Sequence, residues 1–172
     1  MKKRPMAVTK NISFSFLEFD NADELPASDR ELILTAVSAA GLAYAPYSKF
    51  RVGAAVRLES GKIVHGSNVE NAAFPSGLCA ERTALAAAVS NFPDDRPLAI
   101  AITAIAENGD IAESVSPCGN CRQVIAEEET RRGSQIRIIL YMKNKIRVIE
   151  SISLLLPLQF NMNNLRLDPP SR

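Results

Sequence analysis

The sequence predicts an α/β domain: a three-layer α/β/α sandwich around a five-stranded mixed sheet whose last two strands run antiparallel. Three observations carry that prediction. Helical and strand-like apolar patterns alternate along the chain, as they do where helices cover a sheet. Two pairs of strand-like runs are joined by connections of a few residues, and a parallel crossover needs about a dozen. With 172 residues, 47% of them hydrophobic, the chain is long and apolar enough for one core and short for two.

Residues 1–27 mix charge with a short alternating patch, Ile12, Phe14 and Phe16, which fits either an added edge strand or an arm laid on a neighbouring subunit. Ser28-Asp29-Arg30-Glu31 reads as a capping box, and Leu32, Ile33, Ala36, Val37 and Ala40 then share one helical face until Gly41. Runs over 51–58 and 62–66 have strand composition, and Glu59-Ser60-Gly61 between them predicts an antiparallel hairpin. The alanine-rich stretch 79–90 predicts a second helix, ended by Phe92-Pro93-Asp94-Asp95 before a buried strand over 98–105. Ser116-Pro117 predicts the N-cap and first-turn proline of a third helix, and Arg131, Arg132 and Gly133 predict its cationic last turn and its stop. Strands over 135–142 and 146–150 follow, joined around Asn144, then a short helix over 151–156. The organisation expected is an extension or arm over 1–27, one domain over 28–160 and a polar tail over 161–172.

Charge and composition narrow the function. Twenty basic side chains against nineteen acidic ones leave a net charge of +1, so no global field draws in a polyanion and nucleic acid is not an expected partner. No apolar stretch approaches the roughly 20 residues of a spanning helix, so no membrane partner is expected. Met1-Lys2-Lys3-Arg4 resembles the charged start of a signal peptide, but no apolar run of about 7 to 15 residues follows it. Three cysteines cannot all pair within one chain, and a cytoplasmic, reducing location is expected.

Those cysteines all fall at predicted helix starts: Cys79 opens the second helix, and Cys118-Gly119-Asn120-Cys121 occupies the first turns of the third. Residues three apart share a helix face, and the positive end of the helix dipole favours thiolate, so Cys118 and Cys121 suit one cation, with Zn²⁺ the natural candidate. A lone C-x-x-C fits a redox pair or two buried thiols as well. Cys79 tips the balance, because three protein ligands with an open fourth position is the pattern of a catalytic zinc site. His65, the single histidine, ends a strand pattern and is left out of the site. Glu81 lies about 200° around the helix from Cys79, so it belongs near the metal without binding it, where a carboxylate serves as general base or as a partner for the helix dipole. Arg82 is placed to offset the negative charge of three thiolates on Zn²⁺, and equally suits a solvated helix face.

Three motifs together, Asn68-Val-Glu70-Asn71, Cys79-Ala-Glu81-Arg82-Thr83-Ala84 and Ser116-Pro-Cys118-Gly-Asn-Cys121-Arg-Gln, closely resemble the cytidine deaminase family of small homotetrameric zinc enzymes. The resemblance also takes in residues 44–55 and Leu155-Leu156-Pro157 with Phe160, so it spans about 28–160. It implies a cytidine deaminase-like fold, with a zinc-dependent deaminase domain over 28–160. It also implies Zn²⁺ on Cys79, Cys118 and Cys121, with Glu81 as the catalytic proton carrier. The activity implied is hydrolytic deamination of cytidine, and of deoxycytidine, to uridine and deoxyuridine plus ammonia, in pyrimidine salvage. Water attacks C4 of the cytosine ring while Glu81 moves protons to N3 and the exocyclic nitrogen, which is the known chemistry of zinc deaminases mapped onto this chain. Asn68 and Glu70, on one face of an extended segment, are implied as sugar contacts, with turn capping the alternative. Phe50 and Phe160 resemble aromatics that stack on the pyrimidine, the latter reaching in from another subunit of a homotetramer, although core packing also accounts for them.

Phe74 stands where the family usually has tyrosine, which removes a hydroxyl near the intersubunit site and leaves the metal, glutamate and ribose motifs intact. A related deaminase of blasticidin type shares both zinc motifs, but Asn68 and Glu70 argue for a nucleoside. A polynucleotide deaminase would bring a histidine ligand, a parallel final strand pair and excess positive charge. A zinc-stabilised binding module would have no need of Glu81.

Overall fold

The computed structural model describes residues 7–165, and the charged start Met1 to Arg4 and the last residues of the expected tail lie outside that range. In sequence order the elements are β1 (Leu17–Phe19), α1 (Ala27–Gly41), β2 (Arg51–Leu58), β3 (Ile63–Ser67), α2 (Ala80–Asn91) and β4 (Pro97–Ile105). They continue with α3 (Gly119–Arg132), β5 (Arg137–Tyr141), β6 (Ile146–Ile149) and a short α4 (Met162–Leu165). The strands form one mixed sheet in the order β1-β6-β5-β4-β2-β3. β4 and β5 pair in parallel, and the other adjacent pairs, including the final β5 and β6, are antiparallel. Among the described residues no helix is long and apolar enough to cross a membrane.

The sheet has six strands where five were expected. The sixth, β1, adds to the edge of β6 with Leu17 opposite Val148 and Phe19 opposite Ile146. The charges match across the pair: Glu18 reaches Arg147 at 2.8 Å and Asp20 reaches Lys145 at 2.6 Å. The segment thus includes the edge strand that was one of its two readings, although Ile12, Phe14 and Phe16 precede the strand and stay exposed.

Side-chain size on β4 explains why helices cover both faces. Its residues alternate, with Ile100 and Ile102 in the cluster beneath α2 and α3, and Ala99 and Ala101 in the cluster beneath α1. The alanine face lets α1 approach closely. A Cβ on Gly53 of β2 would lie 2.0 Å from the Ala36 carbonyl oxygen, so only glycine fits there. On the other face Gly66 of β3 does the same for α2, where a Cβ would lie 2.4 Å from the Ala84 nitrogen.

Two helix starts differ from the expectation. No capping box forms at Ser28: α1 begins at Ala27 with Pro26 as N-cap and no side-chain cap bond. Asp29 turns inward instead, fully buried, and its carboxylate accepts from Arg57 of β2 at 3.1 Å and from Arg137 of β5. At α3 the N-cap is Cys118 rather than Ser116, because the Arg122 side chain binds both Ser116 and Pro117 and keeps them outside the helix. The stop at Gly133 is as predicted, in the left-handed conformation at φ 62°.

Topology brings the helix starts together. β3 and β4 both run antiparallel to β2, which lies between them, so they point the same way. α2 follows β3 and α3 follows β4, so both helices begin beyond the carboxyl ends of those strands, where α/β sheets hold ligands.

Candidate metal centre and cavity

Cys79 is the N-cap of α2 and Cys118 the N-cap of α3, both in extended conformation. Neither side chain makes a capping hydrogen bond. Cys121 lies one turn into α3 and is completely buried. The three sulfurs all lie within 4.8 Å of one another, with Sγ of Cys118 and Sγ of Cys121 separated by 3.4 Å. Tetrahedral bonds of about 2.3 Å from one zinc would hold sulfurs about 3.8 Å apart, between those two distances. The donors, their number and their spacing therefore fit Zn²⁺, and leave one of four tetrahedral positions without a protein ligand.

The three thiols differ in the direction of their pKa shifts. Burial pushes Cys118 upward, but hydrogen bonds from the Cys121 amide and the neighbouring thiols outweigh it and the net direction is down. Burial prevails at Cys79, which is raised. Cys121 is raised far above the ordinary thiol range, by burial first and then by the Glu81 carboxylate beside it. Burial is the largest upward push at Cys79 and Cys121, and a bound dication reverses that balance by stabilising thiolate outright.

The cluster borders a cavity of about 910 Å³, within the range of small-molecule sites. Cys79 and Cys118 line it, as do Glu81 and Arg82. Glu81 is only 5% exposed, and burial raises its carboxyl pKa despite the opposing pull of its own amide, the Cys121 thiol and Arg82. A carboxyl so placed gives up and takes back a proton more readily than an exposed one near neutral pH. Arg82 donates through Nη2 to the Gly77 carbonyl at 3.0 Å, while its Nε is buried with no hydrogen-bond partner among the described residues. His65 is exposed on β3 and takes no part in the cluster.

Asn68, Glu70 and Phe50 line the cavity on the side of the segment before β2. Asn68 spans that segment: Oδ1 accepts from the Val52 amide at 2.7 Å and Nδ2 donates to the Phe50 carbonyl at 3.0 Å. Glu70 closes the turn ahead of it, accepting from the amides of Tyr47 at 2.9 Å and Ser48 at 3.2 Å and from the Ser48 hydroxyl. These bonds, the Ser48 hydroxyl first, hold the Glu70 carboxyl below its usual range. Lys49 sits in the same turn at φ 57°, a left-handed conformation that costs a non-glycine residue roughly 1 to 2 kcal/mol. Both side chains therefore build the wall as well as face the cavity. Each keeps capacity to spare: Asn68 one N–H and one lone pair, Glu70 about one of its four acceptor sites.

Phe160 is absent from the cavity wall of its own chain. It lies 57% exposed after β6, its carbonyl accepting from Gln123 Nε2 at 2.7 Å. Phe74 is 75% exposed at the mouth, edge-on to Tyr47 with ring centroids 5.8 Å apart. Ser114, Asn120 and Ser48 are wall or turn residues that the motifs did not single out. Asn120 was within reach, since it lies between two cysteines, whereas Ser48 gains its role from Glu70, 22 residues away.

Residues 26–134 match the family model described as the cytidine and deoxycytidylate deaminase zinc-binding region. The chain is 44% identical over 100 residues to a cytidine deaminase of Halalkalibacterium halodurans, which covers 58% of this chain and 71% of that one. It is 48% identical over 97 residues to a cytidine deaminase of Sporosarcina psychrophila, covering 56% and 67%. Among solved structures, the cytidine deaminase from Burkholderia pseudomallei superposes with a TM-score of 0.64 at 38% identity, over 76% of this chain and 98% of that one.

Proposed function

The chain belongs to the cytidine and deoxycytidylate deaminase family, and on that premise we propose that it hydrolyses cytidine to uridine and ammonia, and deoxycytidine likewise. The observation that carries the proposal is the pairing of three convergent sulfurs with Glu81, a buried carboxyl beside the cluster, at a cavity with room for a nucleoside.

Zn²⁺ held by Cys79, Cys118 and Cys121 would supply the Lewis acidity that makes water nucleophilic near neutral pH. Glu81 takes the proton that water gives up and delivers it to ring N3 as the C4–N3 double bond becomes single. A second proton passes through Glu81 from the new C4 hydroxyl to the exocyclic nitrogen, the C4–N bond breaks, and ammonia leaves with the carbonyl formed. One water is consumed for each ammonia released. Arg82 offsets the charge of the thiolates from α2.

Asn68 and Glu70 are the proposed sugar contacts, made with the donor and acceptors that remain after they have fixed the wall. Phe50, on that wall, is the proposed stacking surface for the pyrimidine, and Phe160 is proposed to complete the site of a neighbouring subunit in a homotetramer. Pyrimidine salvage in the cytoplasm is the proposed setting, which suits a chain with three unpaired thiols. The test is incubation of purified protein with cytidine, deoxycytidine, adenosine and blasticidin S while ammonia is followed. Release from the two pyrimidine nucleosides supports the proposal, and release from blasticidin S alone refutes it.

A further inference from the structure

Arg122 and Gln123 follow Cys121 directly on α3, and neither lines the cavity. Arg122 is half-buried, and its guanidinium donates to three acceptors: Nε to the Pro117 carbonyl at 2.9 Å, Nη2 to Ser116 Oγ at 3.2 Å and Nη1 to the Leu155 carbonyl at 2.8 Å. Two of these belong to the residues that lead into Cys118. The third belongs to the segment after β6, 33 residues further along the chain. Gln123 adds a second tether to that segment through the Phe160 carbonyl.

Leu155 and Leu156 are partly buried against the core, whereas Pro157, Leu158 and Phe160 are exposed. Leu155 and Leu156 donate their amides back to Ile152, but residues 157–160 make no backbone-to-backbone hydrogen bond with the described residues. A guanidinium is planar and its donors keep fixed angles, so its three acceptors are fixed relative to one another. Cys118 is held on one side by the clamped Ser116-Pro117 and on the other by the first turn of α3.

We propose that Arg122 is a positioning residue that couples occupancy of the three-cysteine cluster to the placement of residues 155–160. A metal that fixes Cys118 against Cys121 fixes the near acceptors of the guanidinium, and the Leu155 carbonyl is fixed with them. The coupling is reciprocal: the anchored segment in turn favours the metal-ready arrangement of the cysteine loop. Phe160 is thereby aimed by the metal centre of its own chain. The inference rests on the three cysteines being the zinc ligands.

The test is hydrogen exchange of peptides covering 155–160 in the full-length chain, metal-stripped and zinc-loaded, together with zinc affinity by chelator competition. In the wild type, zinc slows exchange in this segment. Arg122→Met abolishes that difference and weakens zinc by about 10- to 100-fold, the usual effect of losing a contact behind a metal ligand. Its melting temperature falls further in the zinc-loaded form than in the stripped form, which a merely structural arginine would not produce. If Arg122→Met does not fold, Arg122→Lys, a point charge without the fork, shows a partial loss of both effects. Gln123→Ala speeds exchange around Phe160 and, with the Arg122 fork intact, weakens zinc far less than Arg122→Met does. Wild-type protein that takes up no zinc overturns the metal reading and the coupling with it. Zinc uptake with unchanged exchange at 155–160, or wild-type zinc affinity in folded Arg122→Met or Arg122→Lys, overturns the coupling alone.

Discussion

Replacing Gly66 by alanine tests whether the packing of α2 on the sheet sets the position of Glu81. The added Cβ would lie 2.4 Å from the Ala84 nitrogen and 2.9 Å from both the Ala80 oxygen and the Ala84 Cα, all backbone atoms that no rotamer change can move aside. Ordinary contact begins near 3.4 Å, so α2 must lift from β3 by about 1 Å. α2 carries Glu81 and begins at Cys79, whereas Cys118 and Cys121 ride on α3, so the shift falls between the two halves of the site. Overpacking of this kind costs about 1 to 3 kcal/mol, more than the 0.4 to 1 kcal/mol that a compatible Gly→Ala change recovers from the unfolded state. A misplacement of about 1 Å at a reacting centre costs on the order of 100-fold in rate. The assay is kcat for ammonia release alongside thermal melting, with Gly41→Ala as control. A Cβ at Gly41 meets nothing within 4 Å, so the control should be at least as stable as the wild type, by about 0.4 to 1 kcal/mol. Gly66→Ala with wild-type kcat and melting would refute the reasoning, because the close approach at β3 would then not be what locates Glu81.

Glu81→Gln should lower kcat by about 100- to 10,000-fold while zinc content stays at the wild-type level. Its effect on stability has the opposite sign: a folded-state pKa raised by burial means that ionised Glu81 costs stability above that pKa, so metal-free Glu81→Gln should melt higher than metal-free wild type near neutral pH. That advantage should shrink as pH falls through the raised folded-state pKa toward the ordinary carboxylate range, and melting curves at several pH values will show it. Glu70→Ala should raise KM for cytidine and loosen the turn at Tyr47 and Ser48 without changing zinc content, and unchanged KM would leave Glu70 a wall residue alone. Because its carboxyl is held low, the turn's contribution should be present above the ordinary glutamate pKa and fade as pH falls through the depressed one, which amide exchange at Tyr47 and Ser48 can follow. Asp29→Ala leaves Arg57 and Arg137 without their buried partner and should cost about 3 to 5 kcal/mol in denaturant titration, far from the site.

Much of this was readable from residue order because the governing interactions are local. The hairpin around Gly61, the stop at Gly133 and the antiparallel close of the sheet each follow from a few adjacent residues, and the placement of all three cysteines at helix starts came from the same signals. What escaped depends on partners distant in sequence. Ser28 looked like a cap because its motif is local, yet Asp29 is claimed by Arg57 and Arg137, 28 and 108 residues away. Ser116 looked like a cap until Arg122 held it outside the helix. The edge strand β1 pairs with β6 and sets Asp20 and Glu18 against Lys145 and Arg147, more than 120 residues on. The double duty of Asn68 and Glu70, as wall and as candidate sugar contacts, likewise depends on the segment from Tyr47 to Val52 folding back on them. Local signals gave the right place for the sulfurs, whereas the upward push of burial on the Cys79 and Cys121 thiols depends on the depth of the finished core.

The central claim, three sulfurs around one zinc with an open position, is tested most directly by X-ray absorption at the zinc edge on purified, native protein. The account predicts one zinc per chain with three sulfur neighbours near about 2.3 Å and one lighter neighbour. A shell closed by four protein ligands, or folded protein with no bound zinc, would contradict it.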